Sequence, residues 1–398
     1  MKYILFDEPT SRTALLPFTF TRPVADIRMG IWTLTEKWQH WLQHPVSHLT
    51  EPYLQTKFPH ITGTDNLYIN GAVCPTDALV AAIQGLTDGQ ALLTQDQTLI
   101  AVRTGDRLDK APSATDFTPV YTAEAPVTLR QLPDIFALNG DQIRADFTQV
   151  TAAHERAGRT SAPLTDPHSR VYGAGNLFIE EGATIRASVL NAEAGPIYIG
   201  KNATISEGSI MIGPFALCDN STVNWGGKMR SNTTIGPFCK VGGEVGNSVL
   251  FGYSNKAHDG FLGNSVIGEW CNLGANVNNS NLKNDYTNVK LHSYATGQLE
   301  DTGRLFCGLM MGDFTKAGIS TLFNTGTVVG VNVNVFGAGF QPKHIPSFSW
   351  GGAAEGFSDY RLDKAMYVAR ETVGRRGLPF GADEEALLTA VYELTRAQ

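Results

Sequence analysis

Charge of one sign is never gathered in this chain. Lys plus Arg number 31 against 38 Asp plus Glu, a formal net charge of -7, and no block of like charges occurs. DNA and RNA partners require a basic stripe, so no nucleic-acid partner is expected and a small-molecule substrate is. No apolar run approaches the ~18 residues of a membrane-spanning helix, so no membrane span is expected. MKYILFDEPTSR turns polar too early to hold the apolar core of a signal peptide, which points to the cytoplasm. The five cysteines, Cys74, Cys218, Cys239, Cys271 and Cys307, show neither CxxC spacing nor nearby histidine pairs. That excludes a disulfide framework or zinc site as the first reading and leaves small buried apolar side chains. What the chain does have is 42% hydrophobic and 10% aromatic residues over 398 positions, enough for a large core in two or three domains.

Residues 1–157 read as a mixed α/β domain. KYILF opens as a buried strand, Ile27 to Leu42 has helical periodicity, NLYIN is a second strand and Thr76 to Gln84 a second helix. ALLTQDQTLIAV predicts two strands around a polar turn, and Asp141 to Ala157 a helix. Residues 158–168 are rich in Gly, Pro and Ser and read as a linker.

From 169 to 350 the period changes. Ile199, Ile205, Met211, Leu217, Val223, Met229, Ile235 and Val241 recur every sixth position. Helices need 3.6 and strands 2, whereas a parallel β-helix places one inward apolar residue per hexapeptide. A second run, Leu305, Met311, Ala317, Phe323, Val329 and Val335, has the same period. Between the runs the frame is expected to slip by two, through Val249, Asn255, Phe261, Ile267 and Leu273. Residues 274–302 are too polar for coils and read as a loop leaving the wall. Residues 351–398 form a helical tail, with helices over Tyr360 to Arg375 and Asp383 to Arg396.

NKAHDGFLG, residues 255 to 263, breaks the apolar rhythm with a lysine, a histidine and an aspartate. A smooth β-helix wall offers no proton acceptor, and histidine can serve as one near neutral pH. Alternatively His258 is a structural residue of a polar turn, and Asp259 either orients the imidazole or caps that turn. Cys307 as an acyl carrier lacks an adjacent base.

TIGPFCKVGGEV, SVIGEWCNLGANV and NTGTVVG, behind an α/β domain, resemble the bacterial bifunctional N-acetylglucosamine-1-phosphate uridylyltransferase/glucosamine-1-phosphate N-acetyltransferase family. LLPFTFTRPVADIRMGI, DIFALNGDQIRADF, FGYSNKAHDGFLGNSVIGEWCNLGANVNNSNLKN and IPSFSWGG are most similar to a shortened version of it, described as a sugar nucleotidyltransferase. The resemblance implies a Rossmann-like nucleotidyltransferase domain, a left-handed β-helix, a homotrimer with sites between subunits, and acetyl-CoA as co-substrate. It implies His258 as catalytic base and Lys256, Phe261, Asn272, Lys290 and Lys240 as substrate-binding. Phe261 stands where the family has a tyrosine. Near acetyl-CoA it implies Ala275, Asn281 and Leu309, the last in place of a serine. For the nucleotide it implies Arg12, Arg22 and Arg28, with Mg²⁺ needed if the N-terminal domain is active. Asp7 and Asp26 are weak metal candidates, because Ala72 occupies the place of a metal ligand. Arg22 bridging a carboxylate inside the domain is an equal alternative.

The leading expectation is therefore amino-sugar nucleotide biosynthesis, with acetyl transfer to glucosamine-1-phosphate in the β-helix and uridylyl transfer by the N-terminal domain. A sugar-1-phosphate nucleotidyltransferase alone and a catalytically silent scaffold or ligand sensor stay open.

Overall fold

The computed structural model describes residues 1–396, which fall into two compact units. One comprises Met1–Ile27, Trp32–Leu132 and Ala382–Ala390; the other comprises Arg28–Ile31, Pro133–Gly381 and the chain from Val391.

In the first unit, apolar KYILF forms β1 (Lys2–Phe6), buried on both faces as a central parallel strand requires. With β2 (Val46–Leu49), β3 (Asn66–Asn70), β4 (Gln90–Leu93), β5 (Leu99–Thr104) and β6 (Thr118–Tyr121) it makes one sheet in the order β2-β1-β3-β5-β4-β6. Only β5 runs against the others. The carboxyl ends of β1, β3, β4 and β6 therefore share one edge. Helices α1 (Pro9–Ala14), α2 (Leu34–Leu42) and α3 (Asp77–Gln84) belong to this unit. The helix expected over Ile27 to Leu42 starts only at Leu34. Thr33 caps it reciprocally with Glu36, and Gly30 upstream has a left-handed φ of 90° that a helix cannot contain.

His48 on β2 is buried, its Nε2 3.0 Å from Thr35 Oγ1, and burial pulls its pKa from 6.5 down to about 4. Between those values the unfolded chain binds the proton and the folded chain does not. Stability is therefore lost as pH falls from 6.5 towards 4, by on the order of 3 kcal/mol. Denaturant unfolding at pH 7 and 4.5 measures this, and His48→Gln should flatten the difference.

The second unit is a parallel β-helix of the left-handed hexapeptide type. Its walls are a nine-stranded, a ten-stranded and a six-stranded sheet. The ten-stranded sheet ends in an antiparallel hairpin, Ser349–Gly352 with Gly356–Asp359. All eight residues of the first predicted run lie in its core. One corner is built from residues with left-handed φ, among them Asn202, Asn220, Phe238, Tyr253, Trp270 and Phe314. Successive rings there stack, Phe238 on Tyr253 at 4.9 Å and Tyr253 on Trp270 at 4.3 Å.

The expected frame is off by one residue at Val249, Asn255 and Phe261, whereas Ile267 and Leu273 face the core as expected. Val245, Leu250, Leu262 and Ile267 face the core, and Lys256 rather than Asn255 occupies the interrupted slot. Val241 to Val245 is four residues and Val245 to Leu250 five, which moves the frame by three before Lys256, and a third shortened turn, Leu262 to Ile267, moves it by one more. Gly242 and Gly243 make the first of these turns, Gly243 with φ 68°. Leu305 is 46% exposed and outside the coils, so the second run begins at Met311.

The loop also starts later than expected. Asn278–Asn279 still pairs with Leu322–Phe323, because the buried Asn279 side chain bonds both the N–H and the carbonyl of Gly263. The excursion that follows carries a hairpin, Lys290–His292 with Leu299–Asp301. Helices α4 (Asp134–Ala137) and α5 (Asn139–Arg156) group with the coils, as do Arg28–Ile31. Helix α6 (Leu362–Gly374) lies in this unit, and just beyond it Arg376 donates to Asn255 Oδ1 at 3.0 Å. Near the end of α7 (Ala382–Arg396), Arg396 bonds the Phe348 carbonyl. Among the described residues no helix is long and apolar enough to cross a membrane.

Candidate active site

The coil that carries the lysine, histidine and aspartate leaves the wall as a turn, Ala257–Gly260, seated on the Gly242–Gly243 pair. A Cβ on Gly242 would come within 2.4 Å of the Ala257 oxygen, and one on Gly243 within 2.7 Å of the Gly260 oxygen, so only glycine lets the turn settle there. The carbonyls of the turn are all taken up. Ala257 accepts from Asn224 Nδ2 (2.8 Å), His258 from Lys256 Nζ (2.6 Å), Asp259 from Lys256 Nζ (3.0 Å) and Asn276 N (2.9 Å), and Gly260 from Glu244 N (3.1 Å). With the backbone oxygens held, His258 and Asp259 are left exposed. Among the described residues no hydrogen bond to the His258 ring is made, so the alternative in which Asp259 orients the imidazole is not realised.

Lys256 is the main correction to the expected substrate contacts. It is fully buried in a core slot, and burial lowers its pKa to about 8. An ammonium held by two backbone carbonyls in the coil interior does not reach a phosphate. Leu309 is corrected likewise: it is 0% exposed inside the coil core and cannot face a thioester.

Phe261 and Asn281 come together. They line a cavity of about 310 Å³ with Arg230, Asn247, Asn264 and Phe306. Asn281 donates to Asn264 Oδ1 at 2.8 Å, and its carbonyl accepts from Cys307 N, which ties the return of the excursion to the coil. Arg230 is exposed and 3.2 Å from Glu244. Arg230, Asn264 and Phe306 were not singled out by the sequence reading. A signal existed: Gly246 and Gly263 stand above Arg230 at one register position, and a Cβ on Gly246 would lie 3.0 Å from that of Arg230. The room these glycines leave is taken by the Arg230 stem at Gly246 and by the Phe261 ring and Asn281 amide at Gly263, which brings those side chains against the wall.

The other expected contacts scatter. Asn272 and Lys240 point outward from the ten-stranded sheet, each in register with Asn255, and Asn255 donates to Asn272 at 3.4 Å. Lys290 is exposed on the hairpin. Ala275 is in the turn one coil beyond His258, its carbonyl accepting from Ser320 N.

In the first unit the nucleotide candidates are occupied by their own chain. Open α/β sheets bind ligands beyond the carboxyl ends of the strands, where strand order reverses, here between β1 and β3. Gly71 N bonds the Phe6 carbonyl, and a Cβ on Gly71 would meet the Ala25 methyl at 3.1 Å, so that place is filled by the segment around Val24–Asp26. Asp7 accepts from Val24 N (2.7 Å), Arg12 (2.9 Å) and Thr50 (2.5 Å). Arg12 also donates to the Thr19 carbonyl and to Tyr53. Arg12 is thus an internal brace and not a phosphate-binding cation, and Asp7 is engaged by three donors of its own chain. Arg28, in the second unit, bonds the carbonyls of Ile31 and Phe251 and is likewise spent. Arg22 is buried at 4% exposure. Asp26 closes a short 3₁₀ turn, and among the described residues no three of His, Cys, Asp and Glu gather as a metal cluster. Neither Asp7 nor Asp26 belongs to such a cluster. An open cavity of about 220 Å³ does exist near the carboxyl ends of β4 and β6, lined by Thr94, Asp96, Glu124 and Arg130.

Residues 3–155 match the family model for sugar nucleotidyl transferases. That match makes the N-terminal segment one of transferase type. A search of curated proteins found no match. Among solved structures, the Francisella novicida UDP-N-acetylglucosamine acyltransferase is 14% identical, with 59% of this chain and 76% of that one covered and a TM-score of 0.27. The Arabidopsis UDP-N-acetylglucosamine acyltransferase is 13% identical, covering 54% and 77%, with a TM-score of 0.22. A polysialic acid O-acetyltransferase is 12% identical, covering 49% and 86%, with a TM-score of 0.21. At that distance none of them carries a residue or a substrate over to this chain.

Proposed function

We propose that the β-helix transfers an acetyl group from acetyl-CoA to the amine of a sugar phosphate of the glucosamine-1-phosphate kind, with His258 as general base. The observation that supports this reading is the extruded turn, which sets an exposed imidazole, with no hydrogen-bond partner among the described residues, outside the wall. In the reaction the amine nitrogen attacks the thioester carbonyl while His258 takes its proton. The tetrahedral intermediate then collapses, the C–S bond breaks and the thiolate leaves. In the cavity, Arg230 is the cation available to a phosphate, Asn264 and Asn281 offer amides to hydroxyls, and the Phe261 ring supplies a face for the pyranose. Phe261 lacks the hydroxyl of a tyrosine, so it contributes contact and no hydrogen bond. A homotrimer, in which a neighbour closes over His258, completes the proposal and is measured by sedimentation.

The test follows free thiol from acetyl-CoA with glucosamine-1-phosphate. Thiol release should require the acceptor, and Phe261→Ala should raise its KM by about tenfold, the effect of losing one apolar contact of 1–2 kcal/mol. No acceptor-dependent thiol release would overturn the reading.

A second reading, uridylyl or other nucleotidyl transfer by the first unit, is favoured by the family match over residues 3–155. Pyrophosphate release from UTP, Mg²⁺ and N-acetylglucosamine-1-phosphate tests it. The filled place between β1 and β3 weighs against it, and a nucleotide would have to use the cavity beside Asp96 and Glu124. Silence in both assays would favour a scaffold or ligand sensor.

A further inference from the structure

From Ile199 to Leu273 the column of core residues that recurs about every sixth position is apolar except at one place, Lys256. Its strand pairs with Lys240–Val241 on one side and, through Asn255, with Asn272 on the other. The lysine stem therefore runs where neighbouring coils place Val241 and Leu273, and its four methylenes can pack there as a methionine would. Only the end of the side chain differs. It supplies donors to two consecutive carbonyls, those of His258 and Asp259, which belong to a turn displaced from the regular ladder. Carbonyls turned inward at such a place without donors would each cost free energy, and the turn would rotate to expose them.

We propose that Lys256 is the positioning residue of the active site: its ammonium, set in the coil interior, locks the two peptide planes that follow the histidine, while Asn224 holds the one before it, and so fixes the direction in which the imidazole leaves the wall. This rests on the reading of His258 as the base. The other members of the lock are ordinary neighbours, the Asn224 amide and the Glu244 and Asn276 N–H groups. None of them bonds the His258 carbonyl, which has Lys256 as its donor. A methionine at 256 keeps the volume of the column and removes only the donors.

The experiment compares wild type, Lys256→Met, His258→Ala and the double variant. Lys256→Met should fold and keep the acceptor KM within about threefold, while kcat for thiol release falls at least 30-fold. In the His258→Ala background the same change should cost less than twofold, because the lysine acts through the histidine. Carbethoxylation of His258, followed by peptide mass spectrometry without any substrate, should change in rate at least fivefold in Lys256→Met. Unchanged kcat in Lys256→Met, an undiminished loss in the double variant, or an unchanged carbethoxylation rate would each overturn the assignment. Full activity in His258→Ala would instead remove the base reading on which it rests.

Discussion

Replacing His258 by alanine should lower acceptor-dependent thiol release by about 10²–10⁴-fold, the usual contribution of a positioned general base. The unfolding temperature should hardly move. The side chain is exposed, and its backbone carbonyl, which is what the coil uses, survives the substitution. A large loss of kcat with an intact fold separates a catalytic histidine from one that merely shapes a turn, since a structural residue would lose stability and activity together. His258→Gln sharpens the result: it keeps a polar side chain of similar reach but cannot accept and release the proton, and so should be nearly as inactive as the alanine variant. Activity within threefold of wild type in either variant would refute the assignment.

The second large effect is on stability. Arg12→Met should destabilise the first unit by about 3–5 kcal/mol, the cost of stripping one partner from a buried ion pair. Arg12 and Asp7 are nearly enclosed, with side-chain exposures of 11% and 5%, and their charged atoms are 2.9 Å apart. Without the guanidinium, Asp7 retains only Val24 N and Thr50 as donors, and the Thr19 carbonyl and Tyr53 hydroxyl lose theirs. The double variant Asp7→Leu/Arg12→Met should recover much of the loss, because it leaves no unpaired buried charge. Denaturant unfolding of the four proteins measures the coupling. If Arg12 held a nucleotide phosphate instead, Arg12→Met would abolish pyrophosphate release without changing stability.

These two residues illustrate how far the sequence can be read. The six-residue period announced the β-helix because every coil must bury one apolar side chain, and the eight positions from Ile199 to Val241 face the core accordingly. NKAHDGFLG was legible as an interruption, and His258 leaves the wall there. Arg12, Arg28 and Lys256 were read as cations for phosphate, and each instead satisfies backbone carbonyls or a buried carboxylate of this chain. A cation near a predicted loop looks the same in sequence whether it faces a ligand or the interior.

What the sequence determined alone is periodicity and composition: a coiled β-helix behind an α/β domain, with its one titratable break at residues 255–263. Those properties are local, since hydrophobic spacing dictates which face of each short strand is buried. What only the tertiary structure decided is orientation. Two shortened turns, Val241 to Val245 and Val245 to Leu250, turned Lys256 inward and moved Asn255 to the outer face. Because strand side chains alternate in direction, a one-residue error in frame exchanges core for surface. The cavity joining Arg230, Phe261 and Asn281 was hidden for a related reason. Its walls come from successive coils and from the end of an excursion more than twenty residues long, and are adjacent only once the coils have stacked.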